Sequence, residues 1–227
     1  MAKITFEEIK KNEKIMYLVN KANENLGIIG YTEHGIRHVQ YIAKIAGRVL
    51  NGLGYPDDRV ELAKIAGWVH DVGNLFNRKY HSISGAAILF QELQGLGMDF
   101  EDVCDICAAV GSHDEEIGRP VSDISAALII ADKVDAYKAR VRQDSYSLED
   151  IHDRVNLSIY ETHVRVDKDK KEIMWEMHMK EYATPMEFME IYFSRMRMCE
   201  DSAAFLGCTF KLSINGLVMN QLGASQA

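Results

Sequence analysis

The chain has 227 residues, 47% of them hydrophobic and 26% charged, with a formal net charge of −8 and a pI of about 5.5. This is the make-up of an ordinary globular protein, one domain with an appendage or two small domains. It argues against a broad basic surface for duplex nucleic acid or an anionic membrane, and leaves room for a small anionic substrate held by a few local cations.

Apolar residues recurring at helical spacing predict a first helix over about 5–24, with Ile9, Met16, Val19 and Ala22 turned inward. A loop is expected from Asn25 to Gly30. The second helix starts at Thr32 or Glu33 and runs to about Leu53; His38, Ile42, Ile45 and Val49 share one face, so His38 points inward. Pro56-Asp57-Asp58 opens a third helix, because proline is tolerated and acids are favoured in a first turn. That helix buries Leu62, Ile65, Ala66 and Val69, delivers His70 and Asp71, and ends at Gly73-Asn74. A fourth helix opens at His81-Ser82 and closes at Gly95 and Gly97. A fifth starts at Asp99 or Glu101 and carries Val103, Ile106, Cys107 and Val110, with His113 following on the same face. The sixth begins at Ser122. Its broad face includes Ile124, Leu128, Ala131, Asp132 and Asp135, and its tail holds Lys138, Arg140 and Arg142.

The pattern changes near residue 144. Residues 155–166 are rich in Val, Ile, Tyr and Thr and are expected to form a strand with a bulge. After the turn Asp167 to Lys170, residues 172–179 alternate cleanly, with Ile173, Trp175, Met177 and Met179 facing a small core. Thr184-Pro185-Met186-Glu187 starts a helix that runs to about Phe205. Phe210, Leu212 and Ile214 form a last strand, and Gly223 to Ala227 are expected to fray. The expected architecture is mainly α: a helical part over 1–143, then a small β-β-α-β unit over 144–227.

Five helices thus deliver His or Asp at or beyond an apolar stripe: His38, the pair His70-Asp71, His81, His113 and Asp132. One inward histidine is ordinary core chemistry. Several such groups with two buried aspartates call for compensation, since buried charges are paired or bound to metal. A divalent metal site is the expectation. His34 and His38 lack the intervening glutamate of a zinc protease. Cys104 and Cys107 are a lone C-x-x-C inside a helix, read as packing. With four cysteines, no signal-like N-terminus and no apolar run approaching about 18 residues, a cytosolic protein is expected.

In order along the chain, His38, then His70-Asp71, then Asp132 resemble the H…HD…D pattern of the HD-domain metal-dependent phosphohydrolases. The resemblance covers about residues 31–142. It implies an all-helical core in which these four residues hold a divalent metal. His81 and Ser112-His113-Asp114-Glu115 further resemble the subset with two metals, including the HD-GYP phosphodiesterases. By that likeness His81 and His113 hold a second metal and Asp71 bridges. Asp114 stands where the subset has a second histidine, Asn74 where it commonly has lysine, and the GYP tyrosine is missing. The binuclear site is therefore carried over and the cyclic-dinucleotide substrate is not.

The implied function is a phosphohydrolase that cleaves a phosphate ester of a nucleotide or other small molecule with metal-activated water. Fe, Mn, Mg and Zn are not distinguished. Asp71 would bridge, and Asp114 or Glu115 would protonate the leaving group. Arg37, Lys133, Arg140 and Arg142 are candidate phosphate clamps; for Arg140 and Arg142 the alternative is a solvated basic helix end. His34 either lines the pocket or caps a helix. Two other readings stay open: a di-iron oxygenase on the same scaffold, and a metal-retaining regulatory module. In the latter, the sheet after residue 150 would sense a ligand or form a homodimer.

Overall fold

A computed structural model describes residues 3–220; the end expected to fray, Gly223 to Ala227, lies outside them. The helical part comprises α1 (Phe6–Lys11), α2 (Glu13–Ile28), α3 (Ile36–Leu53), α4 (Asp57–Val69), α5 (His81–Gly95), α6 (Phe100–Gly111) and α7 (Asp123–Lys133). A 3-10 turn, Val72–Leu75, follows α4. The expected single first helix is broken at Asn12. Its side chain accepts from the Lys14 and Ile15 amides, so a cap interrupts an apolar stripe that reads as continuous. The second helix begins at Ile36 rather than Thr32 or Glu33.

Two corrections concern the middle of the chain. Helix α7 stops at Lys133, and its expected tail is instead an irregular stretch and a short 3-10 turn, Lys138–Arg140. Asp135 leaves the helical path, and its carboxylate meets the side chains of Arg37 and His38. Residues 151–158, expected partly as strand, form α8 (Ile151–Ser158), capped by the Asp150 carboxylate on the His152 amide. Local capping outweighs the β-propensity of Val155.

The C-terminal part continues with β1 (Ile159–Asp167), β2 (Glu172–Met179), α9 (Pro185–Phe205), β3 (Thr209–Ile214) and β4 (Leu217–Val218) in a sheet of order β1-β2-β3-β4. The expected bulge falls between Ile159 and Glu161. β3 runs parallel to β2, joined through α9. The unexpected β4 follows Asn215-Gly216, both at positive φ, an Asn-Gly hairpin turn. Ile173, Trp175, Met177 and Met179 face inward as expected, and Trp175 packs edge-on against Phe188 at 5.6 Å. One apolar cluster runs from Ile9 through Trp68 and Trp175 to Ile214. Among the described residues no helix is long and apolar enough to cross a membrane.

Helices α3 and α4 cross closely because Gly67 has no side chain. A Cβ there would lie 2.8 Å from the Cα and N of Ala43. This close approach sets His38 of α3 against His70 at the end of α4. Gly67→Ala is expected to destabilise the protein by about 1–3 kcal/mol, the usual cost of overpacking. Chemical denaturation followed by tryptophan fluorescence checks it; an unchanged midpoint would mean that the helices can part freely.

Candidate metal centre

The candidate ligand side chains all come from helix ends or the residues next to them. His38 sits in the first turn of α3, and His70 caps α4 with Asp71 next to it. His81 opens α5, His113 lies just past α6, and Asp132 is in the last turn of α7. His38, His70, Asp71, His81 and His113 are buried, and the Asp132 side chain is 14% exposed.

Every one of the four imidazoles has its Nδ1 within hydrogen-bond reach of an oxygen that can only accept. His38 donates to Asp135 Oδ2 at 2.7 Å and His70 to the Gly67 carbonyl at 3.0 Å. His81 donates to the Arg78 carbonyl at 3.0 Å and His113 to the Val110 carbonyl at 2.6 Å. Each Nε2 therefore faces inward, with a free lone pair wherever the ring is neutral. His38 Nε2 and His70 Nε2 face each other at 3.3 Å, and His81 Nε2 and His113 Nε2 at 3.0 Å. Two lone pairs at that distance repel unless a positive charge lies between them.

The carboxylates complete two groups. His38 Nε2 lies 3.6 Å from Asp71 Oδ2 and 3.6 Å from Asp132 Oδ1. His70 Nε2 lies 3.4 Å and 3.6 Å from the same oxygens. The other oxygen of Asp71, Oδ1, is 3.4 Å from His81 Nε2 and 4.0 Å from His113 Nε2. Atoms about 2.1 Å from a common tetrahedral centre stand about 3.4 Å apart, so His38 and His70 with either carboxylate oxygen have the spacing of a cation's ligands, and Asp132 also meets His70 and His113 in such a cluster. Among the described residues, Asp71 Oδ2 is buried without a hydrogen-bond partner. Such an oxygen is costly unless a cation faces it. Imidazole and carboxylate donors suit Zn, Fe, Mn or Ni, so the residues fit a divalent metal.

The electrostatics agree. Burial alone would lower the His70 pKa, but Asp71 and Asp132 outweigh it and push it up to about 10. With protein groups alone, a proton on His70 supplies the positive charge. Burial would raise Asp71, yet His70 beside it holds that carboxyl well below the usual range. Burial would likewise raise Asp132, and Lys133 and His70 hold it well below. His113 falls well below the ordinary imidazole value through burial, and then through His70 and His81.

The remaining sequence candidates are placed differently. Lys133 is buried and paired with Asp132, so it neutralises a ligand. Arg37, expected as a phosphate clamp, forks onto Asp135 (3.1 and 2.7 Å) and pairs with Glu33 at 2.8 Å. Arg142 is fastened to the Tyr31 and Asn23 carbonyls, away from the ligands, and this accounts for its donors better than either sequence reading. Arg140 is buried, not solvated. It donates to the Asp135 carbonyl at 2.8 Å and to His34 Nε2 at 2.9 Å. His34 gives its Nδ1 hydrogen to the Thr32 carbonyl at 2.7 Å, so both ring nitrogens are committed. Glu115 is tied to Arg195 at 2.7 Å. Burial would raise its pKa, but Arg195 and Lys133 lower it, which keeps it ionised and counts against a proton-donor role. Asp114 is buried beside the ligands; its Oδ1 accepts from the Glu115 amide.

Three supporting residues escaped the sequence reading. Asp135 fixes the His38 ring. Asn74 donates from Nδ2 to Asp71 Oδ1 at 2.8 Å, steadying that carboxylate. Arg78 Nη1 approaches His81 Nε2 at 3.4 Å and Asp71 Oδ1 at 3.8 Å. Asp135 does follow Asp132 on the face read from the sequence. For Arg78, in a short loop, no periodic signal exists.

Residues 33–140 match the HD domain family. The chain is similar to an uncharacterized protein of Methanocaldococcus jannaschii, 22% identical over 213 residues, covering 83% of this chain and 81% of the relative. Among solved structures it is similar to a predicted HD superfamily hydrolase from an uncultured Thermotogales bacterium, at 23% identity and TM-score 0.46, over 59% of this chain and 74% of that one. A Lactobacillus plantarum protein matches at 17% identity and TM-score 0.43, over 87% of this chain and 86% of its own.

Removing the acceptor that orients His38 should weaken the first group. Asp135→Ala is expected to lower divalent-cation affinity by about 10- to 100-fold, and Asp135→Asn by less. Calorimetric titration with Mn or Zn measures this. An unaltered affinity in Asp135→Ala would remove His38 from the ligand set.

Proposed function

We propose, from the HD domain that this chain carries over residues 33–140, that the protein is a metal-dependent phosphohydrolase acting on a phosphate ester of a nucleotide or other small molecule. The observation that carries the reading is the convergence of four imidazole lone pairs and two carboxylates on one buried space. In this reading His38, His70, Asp71 and Asp132 hold one divalent cation, and Asp71, His81 and His113 hold a second. When bound, such a pair of cations supplies a water of lowered pKa and neutralises phosphoryl oxygens.

The chain's own residues do the rest. Asp71 presents one oxygen to each group, and the Asn74 amide holds it in that orientation. Arg78 stands at the mouth beside His81 and Asp71, with its guanidinium over the Tyr31 ring at 5.6 Å, positioned to meet an incoming phosphoryl oxygen. Asp114 lines the outer cleft with Arg78 and is the carboxyl left to carry a proton toward a leaving group, since Glu115 is held by Arg195. A guanidinium at the mouth favours an anionic substrate over the dioxygen chemistry of the alternative reading.

Elemental analysis and a panel of phosphomonoesters and phosphodiesters test the proposal. Asp71→Ala is expected to lose most bound metal and all turnover, while His81→Ala keeps one metal where the wild type holds two. Asp71→Ala with full metal content would end the bridging assignment. An iron-loaded wild type that consumes oxygen and cleaves no phosphate ester would point to the oxygenase.

A further inference from the structure

We infer that Arg195, carried by the C-terminal helix α9, completes the substrate site together with Arg78, and that this site prefers a terminal phosphomonoester, a dianion, to a phosphodiester. The inference rests on the phosphohydrolase reading and names the substrate class within it. Arg78 and Arg195 line one cleft of about 310 Å³, near the small end for ligand pockets. The cleft's walls come from both parts of the chain: Tyr31 and Arg78 from the helical part, and Asp150, Asp153, Tyr192 and Arg195 from α8, its cap and α9, the Asp150 carboxylate accepting from the His152 amide and that of Asp153 from the Ser147 amide.

Both guanidiniums are held against a tyrosine face. Arg78 lies 5.6 Å from the Tyr31 ring centre and Arg195 4.7 Å from that of Tyr192. Tyr192 is itself buried and stacked on Phe188 at 4.4 Å, so the support under Arg195 is rigid. Arg195 gives its Nε hydrogen to Glu115 Oε1 at 2.7 Å. Among the described residues its two terminal nitrogens donate to no protein acceptor. Glu115 therefore aims the guanidinium and leaves its forked edge free. That edge matches two oxygens of one phosphoryl group. The contacts of Arg78 are long, 3.4 Å to His81 Nε2 and 3.5 Å to Asn74 Oδ1, and easily exchanged for a substrate oxygen.

The other cations near the centre are committed: Arg37 and Arg140 to Asp135 and its surroundings, Lys133 to Asp132. The two arginines that retain free donors in the same cleft suit a group with two negative charges and three terminal oxygens. A diester offers one charge and two such oxygens, and its second substituent needs additional room.

The test is a calorimetric titration of the metal-loaded 227-residue chain at pH 8 with inorganic phosphate and with dimethyl phosphate. Phosphate is expected to bind about 10- to 100-fold tighter than dimethyl phosphate. Arg195→Gln should lose about that factor for phosphate and leave dimethyl phosphate within about twofold, a split that a merely structural role would not produce. Arg195→Lys, which keeps the charge without the fork, should fall between the two and carries the test if Arg195→Gln fails to fold. A wild type that binds neither anion overturns the phosphohydrolase reading itself. Equal affinity for the two anions, or an Arg195 variant that weakens both alike or neither, overturns this inference and leaves that reading standing.

Discussion

The structure turns on a charge problem at Asp71. Its carboxylate is buried among imidazoles whose lone pairs all face the same way, and one of its oxygens has no hydrogen-bond partner among the described residues. Carboxylate, lone pairs and a low-dielectric surround can coexist only if positive charge is supplied. With protein groups alone that charge is a proton on His70, held by two carboxylates against the effect of burial. A divalent cation would meet the same need with more donors at once, and the His and Asp clusters have the spacing to hold one.

The orientation of the imidazoles is inherited from helix ends. His70 and His113 each return an Nδ1 hydrogen to the carbonyl three residues back, and His81 does the same to Arg78. Carbonyls at helix ends and in turns have a lone pair to spare, and each of these three histidines takes one up while turning Nε2 inward. His38 differs: its acceptor is the Asp135 side chain, distant along the chain. Asp135 must reach across to α3, and Arg37 and Arg140 gather around it to balance its charge.

The C-terminal unit is more than a cover for the helical part. It shares one apolar core with the helices, and α9 packs along α7, the helix that carries Asp132 and Lys133. Through the Arg195–Glu115 pair it is tied to the loop that follows His113. Its aromatic stack of Trp175, Phe188 and Tyr192 therefore bears on the cleft beside the metal centre.

By itself the sequence determined the mainly helical class, the late β-containing unit, and the set His38, His70, Asp71, His81, His113 and Asp132 as inward-facing groups. Apolar periodicity records which face of a helix is buried, and a histidine or aspartate on that face stands out against it. Breaks that depend on a single side chain were not legible: the cap at Asn12, the early end of α7, the conversion of residues 151–158 to helix. Periodicity averages over several residues and cannot register one hydrogen bond. Only the tertiary structure decided which cations remain free. Arg37, Arg140 and Arg142 look like Arg78 and Arg195 in sequence, and they differ because carboxylates and carbonyls distant along the chain fold onto the first three, while Arg78 makes only long contacts at the cleft and the terminal nitrogens of Arg195 meet no acceptor among the described residues.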